Sequence, residues 1–456
     1  MKKSLIHLAR TIGSAFSLED KNASRDNVQA EAPPRLGFLP QRGWKLALLL
    51  ACLCTIAYLP ALNNGFISDD YVMLEWAKTS QKDFSFLFKI VPDVFRLTTY
   101  IFLGLLQWMF GYRHEYFYGF TILVHVLNCV LLYRLIDRVT GSQQVAVLAA
   151  LFFAVVQNPQ EAVMWVAAMA CELGALCMLA TLFLWLRGRF VASALCYLIG
   201  LFSMESTLVT LLLLPLLEFS THRKLTFRRE CWYFLVPTIL FAVVFLATVS
   251  NNYQVTAGTY RFGARGLWVL VVSLHKLIFP WLYLAVLLVA ASRRQLSFGE
   301  LRSPLLWMVI ALLPFIFLTY QSHVPSRHTY VPAMGLVWAL AVQLSSLDRA
   351  RLRQAFLVAF IAVNIGYIWF VKDAQFKERA APTARLQEQL GRLLPGRLMI
   401  TNFPLNPWIA KMTTRLVPGW EPEMIFVNEQ AAACPDCLQL RWNDNTRSYD
   451  PASSGR

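Results

Sequence analysis

Apolar runs near membrane-spanning length recur from Trp44 to Val371 of this 456-residue chain, and nothing else in it constrains the architecture as strongly. A helix of about 20 apolar residues crosses the hydrocarbon of a bilayer and satisfies its backbone hydrogen bonds without help from water. Eleven such segments are expected, at 44–62, 116–136, 144–157, 164–186, 190–204, 206–219, 231–249, 267–290, 304–320, 332–346 and 355–371. With 57% hydrophobic and 15% charged residues and a mean hydropathy of +0.48, the chain is too apolar for a soluble domain. It shows no internal repeat and no alternating strand pattern, which sets solenoids and barrels aside. The expected fold class is an all-α polytopic membrane protein.

Segment 96–110, "RLTTYIFLGLLQWMF", is read as an interfacial or re-entrant helix in a long first outer loop, because counting it as a span would invert everything after it. The charges agree. Segments that would then be inner carry 22 Lys and Arg, eight of them in 1–45. The short outer connections at 158–163, 250–266 and 321–331 carry only Arg261, Arg265 and Arg327. That asymmetry places the chain N-in and C-out. Three parts follow: a polar cytoplasmic segment 1–43, a transmembrane domain 44–371, and an outer tail or small cap 372–456. The N-terminal stretch is too long and too acidic for a signal n-region, so 44–62 is read as an uncleaved span. The net charge of +15 reflects this topology, and the expected partner is a lipid bilayer, not nucleic acid.

Directly after the first span comes "NNGFISDDYVMLEW", residues 63–76, with two adjacent acids, Asp69 and Asp70. The topology gathers further polar residues on the same outer face: Arg96, Glu161, Glu205, Arg327, His328 and Tyr330, with His125 and Lys276 somewhat deeper. Ionisable groups at membrane depth are costly and point to function by default.

These motifs resemble those of GT-C glycosyltransferases, membrane enzymes that use lipid-linked sugars. "GFISDDYVMLEW" is similar to the acidic motif of their first loop, and "FGYRHEYFYGFTILVHVLNCVLLYRLID" to their second span. "LFFAVVQNPQEAVMWVAAMACELGAL", "LIGLFSMESTLVTLLLLPLL" and "SRHTYVPAMGLVWALA" follow in the expected order, covering roughly residues 44 to 346. Within the superfamily the pattern looks like the branch of the protein O-mannosyltransferases and their tetratricopeptide-bearing relatives. It departs from that branch where Met204 replaces a Lys, where "FRLTTY" lacks a Pro, and where His328 follows Arg327 in place of a Tyr. No tetratricopeptide array follows.

The resemblance implies a GT-C-like bundle in a bacterial inner membrane, with its site facing the periplasm. A sugar would pass from a polyprenyl-phosphate donor to a protein, lipid A or polysaccharide acceptor. Such chemistry needs a base for the acceptor and cations for the departing phosphate. Asp69 stands at the position of the base in similar enzymes; Asp70 would tune it or help hold a divalent cation, Mg2+ or Mn2+. Glu161 is a second acid candidate. Arg96, Arg327 and Lys276 are the candidate phosphate ligands, since a guanidinium meets phosphate oxygens in a bidentate fork.

Each residue also has a plain structural reading. Asp-Asp can cap a helix starting at Tyr71, and Glu161 can answer a helix dipole. Glu205 can be paired within the bundle, and His125 hydrogen-bonded in the core. Arg96 and Arg327 can be interfacial anchors with Tyr330 as a belt residue. Lys276 sits nine residues into its span, and its structural reading is outward snorkelling.

Seven of the nine cysteines fall in or beside spans, where Cys acts as a small hydrophobe. Cys434 and Cys437, in "AACPDCLQ", suit a short-loop disulfide in an oxidising compartment. Neither a Walker A nor a dinucleotide fingerprint is present, which argues against nucleotide-driven transport. Two other readings stay open: a ligase- or polymerase-like transferase of O-antigen type, and a non-enzymatic lipid or solute transporter.

Overall fold

The first span rises as α1 (Gly43–Tyr58) and is stopped by Pro60, which turns the chain into a 3-10 segment, Leu59–Asn63. The structure is a computed structural model that describes residues 43–89, 96–222, 229–251, 253–256, 258–292, 298–318, 321–428 and 437–451. The polar segment expected at 1–43 therefore lies almost wholly outside the described residues, as does Cys434.

After the Asn-Asn-Gly turn, α2 (Asp69–Lys82) lies against α3 (Leu97–Phe110). Gln81 ties the two together, its Nε2 donating to Gly104 O at 2.8 Å and to Gln107 Oε1 at 3.1 Å. With 14 residues, α3 is too short to cross a bilayer unaided. The long α4 (His114–Thr140) ends at Gly141, whose φ of +66° is the left-handed cap that favours glycine. Ser142 then caps α5 (Gln143–Val155), its Oγ accepting from Val145 N at 3.4 Å.

The rest of the bundle comprises α6 (Met169–Leu186), α7 (Phe190–Leu201), α8 (Thr210–His222), α9 (Leu235–Thr248), α10 (Arg265–Ile278), α11 (Trp281–Ala291), α12 (Phe298–Leu312), α13 (Tyr330–Ser345) and α14 (Ala350–Tyr367). Its centre is α5 and α13, which are buried over nearly their whole lengths. Outer helices show the reverse pattern. Val236 and Leu246 of α9 are 72% and 70% exposed and Val358 of α14 is 65% exposed, an apolar surface suited to lipid.

Five helices are long and apolar enough to cross a membrane, or six if the pair α10–α11, bent by 62°, counts as one span. Eleven full-length spans are thus not reached among the described residues. At five expected positions the α-helix is short: α5, α7, α8, α12 and α13 have 13, 12, 13, 15 and 16 residues. Three of these rods are lengthened by 3-10 turns, Glu205–Val209 before α8, Leu313–Phe315 after α12 and Ser326–Thr329 before α13. The segment expected as one span at 267–290 is broken where Pro280 interrupts the α-helix.

Close packing of α12 on α13 depends on Gly335. A Cβ there would lie 2.7 Å from both Met308 Cγ and the Pro304 carbonyl oxygen. Because one neighbour is backbone, Gly335→Ala should destabilise the protein by about 1–3 kcal/mol. An unchanged thermal midpoint of the variant in detergent would refute this packing.

The tail corrects the all-α expectation. α14 runs through a π turn, Ile368–Lys372, into α15 (Asp373–Arg392), so the last span continues into the tail as one rod. Beyond it lie strands β1 (Leu398–Thr401), β2 (Ile425–Val427), β3 (Leu438–Asn443) and β4 (Ser448–Pro451), with α16 (Pro407–Thr414) between β1 and β2. The sheet order is β2-β1-β3-β4. β1 is parallel to both neighbours, and a hairpin pairs Trp442 with Tyr449. Strands of three to six residues carry too little periodicity to show in a sequence dominated by helices. Within the tail the sheet is fastened to α15, Tyr449 Oη donating to Pro382 O at 2.9 Å, and the tail meets the membrane part where Thr383 Oγ1 donates to Phe66 O at 3.4 Å and Arg415 pairs with Glu75.

Candidate active site

Asp69 and Asp70 head α2 but occupy opposite environments, because one step along an α-helix turns the side chain by about 100°. Asp69 is exposed, with Ser68 Oγ donating to it at 3.2 Å. Asp70 is fully buried. Its Oδ2 accepts from Ile67 N at 2.8 Å and its Oδ1 from Ala167 N at 2.6 Å. Burial pushes its carboxyl up to about 8, against those two donors and the nearby Arg379. Between Ile67 and Asp69, Ser68 has a φ of +45°, a strained conformation for a residue with a Cβ. The Ile67–Asp70 bond closes the turn that contains it and so fixes where Asp69 stands.

Glu161 lies on the short helix Gln160–Met164, in the loop after α5. It is paired with two cations at once: Arg327 Nη1 lies 3.5 Å from its Oε2, and Arg379 Nη1 lies 3.3 Å from its Oε1. Arg327 N also donates to Oε2 at 3.3 Å. Both guanidinium groups lie over the Trp165 ring, at 5.2 and 4.6 Å from its centroid. Trp165 in turn donates through Nε1 to Ile67 O at 3.3 Å, joining this cluster to the Asp70 turn.

A second pair forms at the head of α3, where Arg96 Nη2 lies 3.6 Å from Glu205 Oε1. Thr98 N and Thr99 Oγ1 hold that end, donating to Phe202 O at 3.0 Å and Ser203 O at 3.2 Å. Met204, where the resemblance expects a Lys, is buried and packs on Gly174. His328 is buried, stacked on Phe315 at 4.3 Å, with its Nδ1 3.9 Å from Cys171 Sγ. Burial, then Arg327 and Arg96, hold its imidazole well below the usual histidine range, so it is neutral. Arg327, His328 and Cys171 line a cavity of about 20 Å³, room for a single water.

The structure therefore brings Asp70, Glu161, Arg327 and His328 into linked contacts at one end of the bundle, with Asp69 at their edge and Arg96–Glu205 alongside. Two expected site residues, His125 and Lys276, fall elsewhere. Tyr330 is fully buried and is not a belt residue: it lines the same small cavity as Arg327 and His328, and its hydroxyl lies 2.7 Å from His125 Nδ1 in the bundle core. Lys276 was expected deep in an uninterrupted span. It lies instead in the last turn of α10, which stops before Pro280, and its Nζ is 3.1 Å from His323 Nδ1. A cation in a last helical turn is favoured by the helix dipole.

Arg379 is the site residue that sequence reading missed. It sits on α15, whose buried residues Phe376, Ala380, Thr383, Leu386 and Leu390 follow helical spacing. That amphipathic pattern was available, and Arg379 falls within its apolar face, three residues after Phe376 and four before Thr383, but nothing in it showed that the guanidinium would meet Glu161.

The expected divalent cation does not fit the acid pair. Both Asp70 oxygens face backbone N–H donors, which leaves Asp69 as a single carboxylate there. In the cap, Cys437 is disulfide-bonded, while its expected partner Cys434 lies outside the described residues.

Comparison with known proteins adds little at this point. No family model matches the chain, and no curated protein does. A crystal structure of ArnT from Cupriavidus metallidurans bound to undecaprenyl phosphate superposes with a TM-score of 0.48 at 14% identity, over 89% of this chain and 94% of that one. A likeness of that size carries no argument about activity. Fold and site together define a polytopic helical membrane protein with an acid–arginine cluster at one end of its bundle.

Proposed function

We propose that the chain is an integral membrane glycosyltransferase of GT-C type that moves a sugar from a polyprenyl-phosphate donor to an acceptor on the outer face of a bacterial inner membrane. The observation that carries this reading is the pair of guanidinium groups, Arg327 and Arg379, held on one carboxylate beside the Asp69–Asp70 turn. Two guanidinium groups on one carboxylate leave this corner with a net positive charge, which suits it to a phosphate. The order of motifs from "SDDY" to "SRHTYVP" supports the same class.

In this reading Asp69 takes the proton from the acceptor hydroxyl as its oxygen attacks the anomeric carbon. The bond between that carbon and the phosphate oxygen breaks, and the electron pair leaves with the polyprenyl phosphate. Attack opposite the leaving group inverts the anomeric centre. Arg327, with Arg379, stabilises the charge that develops on the phosphate. Asp70 and Trp165 act as positioning residues by fixing the turn, and no step passes through a metal ion.

Purified protein in detergent, given a panel of radiolabelled polyprenyl-phosphate sugars, tests this directly. Transfer or release of label supports the class and identifies the donor; no binding of any lipid-linked sugar would overturn it. Loss of one charge-assisted contact is worth roughly 1.5–3 kcal/mol, so Arg327→Ala should weaken donor binding by about 10- to 100-fold. Arg327→Lys should weaken it less. Equal donor affinity for all three proteins would remove Arg327 from the phosphate site.

A further inference from the structure

The bundle core holds a second polar cluster that the proposed chemistry does not use. Cys54 of α1 and Cys129 of α4 are both fully buried, free thiols, with their sulfurs 3.8 Å apart. His125 is one helical turn before Cys129 on the same face, and its Nε2 lies 3.9 Å from that sulfur. The three ligand atoms lie within 4.8 Å of one another. We propose that Cys54, His125 and Cys129 hold a thiophilic closed-shell cation, zinc(II) or copper(I), inside the membrane bundle.

Four features of the geometry argue for a built site. Thiolates bound at about 2.3 Å to a tetrahedral ion stand roughly 3.8 Å apart, the spacing found here. It is far beyond the ~2.05 Å of a disulfide. His125 Nδ1 is engaged at 2.7 Å by the Tyr330 hydroxyl, the outer partner that a ligating histidine ordinarily has, and Nε2 lies between the Cys129 sulfur at 3.9 Å and Ala154 O at 3.4 Å, a contact that ligation would replace. Around the cluster stand buried polar atoms without a hydrogen-bond partner among the described residues: both oxygens of Glu172, Tyr58 Oη and Asn128 Oδ1. The Tyr58 ring meets His125 edge-on at 5.3 Å. Buried groups of this kind are normally satisfied, so a polar pocket with this many unmatched atoms is one that can accommodate a charged guest.

Binding would release both thiol protons, and zinc(II) with two thiolates and a neutral imidazole is electrically neutral, as a low-dielectric interior favours. Since every ligand is enclosed, the ion would load before the bundle closes and would exchange slowly afterwards. Its role would be to staple α1 to α4 beneath the Asp69–Asp70 turn.

The test is metal analysis of the full chain purified from cells grown with added zinc or with added copper. About one equivalent of metal is expected to survive EDTA treatment of the folded protein and to be released by denaturation. X-ray absorption at the metal edge should show two sulfur scatterers near 2.3 Å, and the edge distinguishes zinc(II) from copper(I). Cys54→Ser and Cys129→Ser should each lower the metal content at least tenfold, whereas Cys52→Ser and Cys177→Ser should leave it unchanged. The absorption spectrum of the unaltered protein keeps the proposal testable if a variant fails to fold. Metal below a tenth of an equivalent under both growth conditions would overturn it, as would a Cys54–Cys129 disulfide in peptide maps or loss of metal in the Cys52 control.

Discussion

Asp69→Asn should reduce sugar transfer by about 10²- to 10⁴-fold, the usual contribution of a general base, while donor binding and the thermal midpoint stay close to those of the unaltered protein. The expectation rests on the contrast between the two acids. Asp69 is exposed and its one hydrogen bond among those described is a 3.2 Å contact from Ser68 Oγ, which asparagine can still accept. Its loss should cost the fold little beyond a weakened interaction with the N-terminus of α2, typically 0.3–1 kcal/mol. A fall in turnover with donor affinity retained would separate an enzyme from a carrier. If the variant transferred sugar at an undiminished rate, the base would lie elsewhere and Glu161 would be examined next. If neither protein turned over but both bound donor, the transporter reading would gain.

The membrane class was readable from hydropathy because lipid demands helices that close their own hydrogen bonds, and no local detail changes that demand. Span number was less readable. Glu205–Val209, Leu313–Phe315 and Ser326–Thr329 wind as 3-10 turns at the ends of α-helices, and such junctions leave no mark in an averaged apolar run. The acid pair could be found in "SDDY" because it follows the first span at once. Which acid was buried depended on Ala167, ninety-seven residues away, whose backbone N–H caps the Asp70 carboxylate. Arg379 was hidden for a similar reason. It lies 218 residues from Glu161, on a helix that reads as an ordinary solvated tail until α14 and α15 join as one rod. The pairing of Cys54 with Cys129 was equally out of reach, since each cysteine by itself reads as a small apolar residue in a span.

Asp70→Ala should unfold the protein roughly 5–10 °C earlier, because it strands two buried N–H donors at about 1–3 kcal/mol each and releases the strained Ser68 turn. Its pH dependence carries a sign that can be checked. The Asp70 carboxyl titrates near 8 in the folded protein against an ordinary value of 3.8, so the folded state holds a proton that the unfolded state has shed throughout that window. Whatever stability Asp70 supplies is therefore complete below about pH 4 and declines as pH rises toward 8. Asp70→Asn removes the titration and keeps one of the two acceptors. Its midpoint should lie below that of the unaltered protein at pH 5, and the gap should narrow by pH 8. The opposite result, a gap that widens with pH, would mean that Asp70 is ionised in the fold and held by its backbone donors and Arg379. In that case the Asp69–Asp70 turn would carry a second negative charge beside the arginine pair, and Arg379 would be tied to Asp70 and drawn away from the donor phosphate. Midpoints measured from pH 5 to 8.5 on the two proteins thus decide whether this turn presents one carboxylate or two.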